Sequence, residues 1–265
     1  MSWTQQPAAA QLTGFALITG ATAGLGASFA RRFAAEGRDL VLVARDAERL
    51  ESSAADLRSR YPVEVEVLSA DLGTEDGRTA VADRIGSVDR SVDSVVNNAG
   101  FGLYRAFGKA SLAEEERLLD VNVRAVLALT HAAVNAMCPR GRGEIINISS
   151  VAGFVPRGGA TTYAAGKAWV TTFTEGVASL LDGTGVRATA VCPGFTHTEF
   201  HARADADMSS TPSWMWLDAD RVVADGLADA RAGKVVSVPS RRYRAILVLV
   251  KLLPRSVVRK AVARR

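Results

Sequence analysis

The chain has 265 residues, 48% hydrophobic and 23% charged, and a chain of this length buries roughly three quarters of its unfolded surface without a disulfide or metal staple. Its two cysteines, Cys138 and Cys192, show neither CxxC spacing nor a disulfide framework, which fits a reducing compartment. Residues 1–14 lack the basic and apolar regions of a secretory signal, and no apolar run approaches the roughly 20 residues of a bilayer span, so a cytoplasmic location is expected.

In chain order, residues 15–19 read as a first strand, 24–36 as a helix, and 40–44 (LVLVA) as a strand apolar throughout and so buried on both faces. A helix over 46–60 leads to a strand over 63–68, whose Val/Glu alternation places it nearer an edge, with one wetter face. Helix 75–85, strand 92–97, helix 112–137, strand 144–148, helix 161–181, strand 186–192, helix 218–230 and strand 235–238 follow. This alternation predicts an α/β fold with a doubly wound parallel sheet of about seven strands. No repeat or Pro/Gly-rich linker divides the chain. The expected layout is a tail over 1–12, one α/β domain over 13–240 and a basic amphipathic extension over 241–265. The least regular stretch, 195–217, reads as a lid or binding loop.

Residues 19–26 (TGATAGLG) follow the first strand and open a helix. A dinucleotide needs such a place: a tight turn, backbone free to approach the pyrophosphate, and helix N–H groups aimed at the anion. Gly20, Gly24 and Gly26 can supply these, although the spacing is not GxGxxG and implies a different turn shape. Taken alone, the turn also serves as a plain strand-to-helix connection. The second strand ends Val43-Ala44-Arg45. The planar cationic fork of Arg45 suits a 2′-phosphate and so favours NADP over NAD. The alternative is a solvated surface arginine, and Asp46 beside it keeps NAD open.

Tyr163 and Lys167 stand at i, i+4 and share a helix face. A free phenol, with a pKa near ~10, is a poor acid–base group at neutral pH. A nearby ammonium favours the phenolate and makes the couple usable for proton transfer. Ser149-Ser150 end the strand over 144–148, at the rim where open α/β sheets present ligands. A Ser150 hydroxyl beside the phenol could hold a substrate oxygen while charge develops; a turn or cap residue is the plainer reading. Asn97-Asn98-Ala99-Gly100 reach the same rim. Asn122, inside an apolar helical pattern, must be buried with partners or functional.

TGxxxGxG at 19–26, NNAG at 97–100, Asn122, Ser150, YxxxK at 163–167 and Pro193-Gly194 occur in this order. The set resembles the classical short-chain dehydrogenase/reductase family over about residues 13–238. The resemblance implies a Rossmann-type catalytic domain and a tetrad of Asn122, Ser150, Tyr163 and Lys167. Tyr163 would pass a proton to the carbonyl oxygen, Ser150 would orient that oxygen, Lys167 would bind the nicotinamide ribose, and Asn122 would hold a relay water. It implies cofactor contacts at Gly20, Thr22, Gly24, Leu25 and Gly26 in the turn and at Arg45. Asp71 and Leu72 would flank the adenine. Asn98, Ala99 and Gly100 would line the adenosine side, and Pro193, Gly194, Thr196 and Thr198 would meet the nicotinamide carboxamide. It also implies a homodimer or homotetramer built on the helices over 112–137 and 161–181. Ala23 departs from the basic or Ser residue that many NADP users carry there, which removes one phosphate contact.

Other features carry less. His197 and His201 form HTEFH rather than HExxH, with no third ligand in view, so no metal is expected. His131 reads as a core residue. Trp214-Met215-Trp216 is either a packing or oligomer contact or a hydrophobic substrate lid. From residue 231 onward there are 11 Lys/Arg and no Asp/Glu, leaving 21 against 28 in the remaining 230 residues. In the tail, Ile246, Leu249, Val250, Leu253 and Val257 make an apolar face with basic borders, broken by Pro254. Packing on the body or a partner subunit, or peripheral attachment to anionic lipid, fits this pattern. Nucleic acid does not, for want of aromatic stacking residues. The expected function is hydride transfer between NADP(H) and an apolar carbonyl or secondary alcohol: lipid-like, 3-oxoacyl or steroid-like. The rival is a non-catalytic dinucleotide-binding regulator or membrane-surface scaffold, which has no need of the Tyr–Lys couple.

Overall fold

The computed structural model describes residues 12–262 except 157, 205, 207 and 210; most of the tail expected over 1–12 lies outside the described residues. The strands are β1 (Phe15–Thr19), β2 (Leu40–Ala44), β3 (Val65–Ser69), β4 (Val92–Asn97), β5 (Gly143–Ile148), β6 (Val186–Val191) and β7 (Val236–Ser237). They form one sheet in the order β3-β2-β1-β4-β5-β6-β7, with every pairing parallel. The Rossmann-type fold read from the sequence is therefore the observed one. β3 stands at the edge and keeps a partly wet face, as its Val/Glu alternation required.

Alternation along each strand builds two separate cores. Phe15, Leu17, Val41, Val43 and Val95 face α3 (Glu75–Gly86) and α5 (Ala125–Met137), where Val81, Ile85, Leu129 and Met137 meet them. Ala16, Ile18, Leu40, Leu42 and Val96 face the opposite way. There they meet Phe29 and Phe33 of α1 (Gly24–Ala35), Leu50 and Leu57 of α2 (Ala47–Arg60), and Val223 and Leu227 of α8 (Ala219–Arg231). A strand covered on both faces must be apolar at every position, which is why LVLVA reads as a continuous run. β1 pairs with both β2 and β4, so the chain reverses direction across the sheet there. The crevice beyond the carboxyl ends of β1 and β4 is where such sheets bind ligands.

One expected helix is not uniform. The stretch over 112–137 comprises α4 (Leu112–Leu119), a π-helical turn (Asp120–Arg124) and α5. Within it the Ala125 N–H reaches back five residues to the Asp120 carbonyl. By composition this helix, through Arg140, is long and apolar enough to cross a bilayer, more so than the apolar-run reading allowed; half of its most apolar stretch lies inside the protein. His131 corrects the sequence reading. It is exposed beside Asn135, on the outward face that also carries Leu127, because the sheet takes the opposite face of α5.

Candidate active site

The glycine turn is stapled to the end of β4. The Thr19 hydroxyl donates to the Val96 carbonyl (3.2 Å) and accepts from the N–H groups of Asn98 and Ala99 (both 2.9 Å). The Asn98 amide donates to the carbonyls of Thr19 (2.8 Å) and Gly20 (3.2 Å). Asn98 thus shapes the turn with its side chain. Gly20 and Gly24 take left-handed φ values of 64° and 52°. A Cβ on Gly26 would sit 2.1 Å from the Gly20 carbonyl oxygen, so only glycine lets α1 start this close to the strand. Side chains cap α2 (Asp46), α3 (Thr74), α4 (Ser111) and α8 (Asp218), whereas Ala23 at the start of α1 offers none. The first turn of α1 therefore has no side-chain cap among the described residues, a place suited to a pyrophosphate.

At the end of β5 the two adjacent serines separate. Ser149 turns inward, donating to the Lys167 carbonyl and pairing with the Thr171 hydroxyl, both at 2.7 Å. Ser150 faces outward, and its oxygen accepts the Ala152 N–H (3.1 Å). That bond leaves the Ser150 hydroxyl proton to be donated. α6 (Thr161–Leu180) carries Tyr163 and Lys167 on its buried face. The Lys167 ammonium donates to the Ile148 carbonyl (2.7 Å) and lies 5.8 Å from the centre of the Tyr163 ring. Burial lowers its pKa to about 8. Asn122, in the π turn, accepts the Phe101 N–H (3.1 Å) and donates to the Phe101 carbonyl (2.8 Å). Gly100 sits between: a Cβ there would lie 3.0 Å from the Asn122 amide oxygen and 3.7 Å from Lys167 Nζ. The four tetrad residues anticipated from the sequence thus gather at one rim.

The outer wall of this rim is aromatic and takes in the short helix α7 (Phe200–Arg203). Ring centres of Tyr104 and Phe200 lie 6.3 and 5.7 Å from that of Tyr163. Behind them His201 meets Tyr104, Phe195 and Trp216, and His197 stacks on Trp216 at 4.8 Å. Both histidines are therefore part of this aromatic wall, in the stretch read as a lid. Trp214 is 53% exposed.

The remaining expected contacts are placed as follows. Arg45 is exposed at the end of β2. Asp71 pairs with Arg117 (2.7 Å), which with the Gly73 N–H holds its carboxyl below the usual range against the opposing effect of partial burial. The Leu72 side chain belongs to the core, so only its backbone can meet a ligand. The Thr22 carbonyl accepts from Arg49 (3.4 Å). Leu25 packs against the core on the α1 side, and Ala99 against the opposite core. The Pro193 carbonyl accepts the Val151 N–H (3.0 Å), and Thr196 donates to the Gly194 carbonyl (3.0 Å). Thr198 packs over Gly24.

Sequence reasoning missed Tyr243. It lies on α9 (Arg241–Leu252), in the extension, with its ring so close to Gly194 that a Cβ there would be 2.1 Å away. Its hydroxyl donates to the Met215 carbonyl (2.9 Å) and accepts the Phe195 N–H (3.1 Å). The Arg242 guanidinium adds a bond to the Trp214 carbonyl (2.8 Å). Nothing local in the sequence marks these contacts, since the partners lie 28 to 48 residues apart. Arg49 was also missed. It pairs with Glu199 (3.2 Å) across the mouth of the crevice.

The chain is similar to several known proteins. The family model for short chain dehydrogenases matches residues 14–209. Sulfoacetaldehyde reductase 2 of Chromohalobacter salexigens is 37% identical over 216 residues, 80% of this chain and 84% of that protein. The NADP-dependent 3-hydroxy acid dehydrogenase YdfG of Salmonella typhi is 38% identical over 189 residues, 69% of this chain and 73% of that protein. Among solved structures, a short-chain dehydrogenase from Sphingobium yanoikuyae in complex with NADPH superposes with a TM-score of 0.82 at 34% identity, covering 91% of this chain and 96% of that one. With its doubly wound sheet, its glycine turn and its Tyr–Lys couple at one rim, the chain belongs to the short-chain dehydrogenase family of oxidoreductases.

Proposed function

We propose that the protein is an NADP(H)-dependent reductase that interconverts an apolar carbonyl compound and its secondary alcohol. The observation that carries this reading is the Lys167 ammonium, buried beside the Tyr163 ring and fixed on the Ile148 carbonyl. A buried cation held against a phenol stabilises the phenolate that a proton-transferring tyrosine must pass through. NADP is supported by the exposed guanidinium of Arg45 at the end of β2 and by the NADP-linked relatives. The side-chain-free start of α1 would take the pyrophosphate, Arg45 the 2′-phosphate, and Lys167 the ribose hydroxyls.

When bound, the nicotinamide supplies or accepts the hydride. Tyr163 gives its hydroxyl proton to the substrate oxygen as the carbonyl is reduced, and Ser150 donates a hydrogen bond to the same oxygen. Asn122 holds a water that returns a proton towards Lys167. The rim formed by Tyr104, Phe200 and Trp216 offers aromatic rings, which favours an apolar substrate. The catalytic domain spans 13–240, with 241–265 as its extension. Copies pair through α5 and α6, whose outward faces carry Leu127, Leu180 and the stacked Trp169–Phe173 pair. The protein works in the cytoplasm.

The test is NADPH oxidation against a panel of ketones and aldehydes. Tyr163→Phe should lose turnover by at least about a hundredfold while still binding NADPH. Arg45→Ala should lose the preference for NADPH over NADH. Equal turnover by Tyr163→Phe, or an Arg45→Ala variant that keeps its preference, would overturn the corresponding assignment.

A further inference from the structure

Helix α9 is apolar on two opposite sides. Its inner side, Tyr243 and Leu247 with Ile246 and Val250 beside them, packs on the body. On the other side Ala245, Val248, Leu249 and Leu252 recur at i, i+3, i+4 and i+7, and all are exposed. The exposure reaches 59% at Val248 and Leu249 and 77% at Leu252. Leu253 and Val257 extend the patch across the Pro254 break towards α10 (Arg255–Val262). Inward packing explains the first stripe and leaves the second without a protein partner among the described residues.

Along the extension itself, what borders the outer stripe is of one sign, and across the fold Asp229 of α8 acts on Arg244 alone among these cations. On the helix wheel Arg244 and Lys251 flank one side of it and Arg242 the other, with Arg241 at its start. No Asp or Glu occurs from residue 231 onward. A two-fold contact between copies through this stripe would set arginine against arginine. An anionic bilayer surface meets both demands, since it takes the apolar side chains below its headgroups and the guanidinium groups among its phosphates.

We propose that the outer face of α9, continued by Leu253 and Val257, is a docking surface for anionic membranes and lies in the plane of the lipid interface. The inner face of the same helix holds the loop at Phe195 and Met215 through Tyr243. Lys251 lies 5.9 Å from the Phe154 ring beyond Ser150. Docking therefore places the substrate side of the crevice next to the lipid surface.

The experiment is co-sedimentation of the full-length protein with phosphatidylcholine vesicles, with and without phosphatidylglycerol, together with light scattering of the protein alone. The protein should sediment with the anionic vesicles, weakly with the neutral ones, and less as salt rises. Leu249→Glu with Leu252→Glu should lower the bound fraction by about tenfold or more. Neither side chain touches the crevice, so turnover of a water-soluble substrate should stay unchanged. Arg244→Glu should lower binding to anionic vesicles alone. The proposal falls if the unaltered protein ignores both vesicles or binds them equally, or if the double variant binds undiminished. It also falls if the double variant changes the oligomeric state of a protein that never bound lipid, for the stripe is then a contact between copies.

Discussion

Lys167→Met puts a number on the cost of holding a cation inside this fold. Burial moves the ammonium pKa from 10.5 to about 8. At 1.36 kcal/mol per unit, the buried charge costs on the order of 3 kcal/mol of stability at neutral pH. Methionine fills the same space without charge but gives up the bond to the Ile148 carbonyl, and an orphaned buried acceptor costs about 1–3 kcal/mol. At pH 7 the variant should therefore be equal to the parent or more stable by up to about 2 kcal/mol, while losing turnover.

The pH dependence separates the two effects. Between about 8 and 10.5 the unfolded chain keeps a proton on this lysine that the folded chain has released. Stability of the parent thus rises with pH across that window relative to the variant, by on the order of 3 kcal/mol in all. Below about 8 the lysine is charged in both states and the penalty is complete. The neighbouring Cys192 thiol, pushed up to about 11 chiefly by burial, stays neutral through the window. Carrying Tyr163→Phe in both chains removes the coupled phenol, and titrating groups that do not interact with Lys167 cancel in the difference. Urea unfolding at fixed protein concentration, followed by circular dichroism from pH 7 to 10, measures it. A stability difference that does not move with pH would refute the idea that Lys167 is held charged at a cost.

Two further changes probe the surroundings. Tyr243→Phe keeps the ring over Gly194 but strips partners from the Phe195 N–H and the Met215 carbonyl. It should lower stability by about 1–3 kcal/mol and raise KM for cofactor and substrate, with kcat at saturation changed less. An equal loss in kcat with KM unmoved would show that Tyr243 does not act by positioning that loop. Gly26→Ala puts a methyl group against the Gly20 carbonyl. It should cost about 1–3 kcal/mol and weaken NADPH binding, as read by thermal melting and fluorescence titration; unchanged affinity would mean the turn absorbs the methyl group without losing its shape.

The sequence by itself determined whatever depends on near neighbours. Strands apolar at every position dictated a sheet covered on both faces, as in 40–44. The Val/Glu alternation of β3 marked an edge. Glycine spacing marked a turn that a Cβ would block, and the i, i+4 spacing of Tyr163 and Lys167 set them on one helix face. Each follows from backbone geometry over a few residues, which local composition records.

Tertiary structure decided what depends on residues brought together from far apart. Ser149 and Ser150 are chemically alike, and only their opposite orientation sends one to Thr171 and leaves the other at the rim. Asn98, expected at the adenosine, spends its amide on the turn, because Thr19 and Gly20 lie against β4. The π turn at Asn122 accompanies its grip on the Phe101 backbone, 21 residues away. Tyr243 joins the site from the extension because α9 packs back over Gly194. Such contacts are selected by the shape of the whole core. The residue patterns that create that shape are local, and its consequences are not.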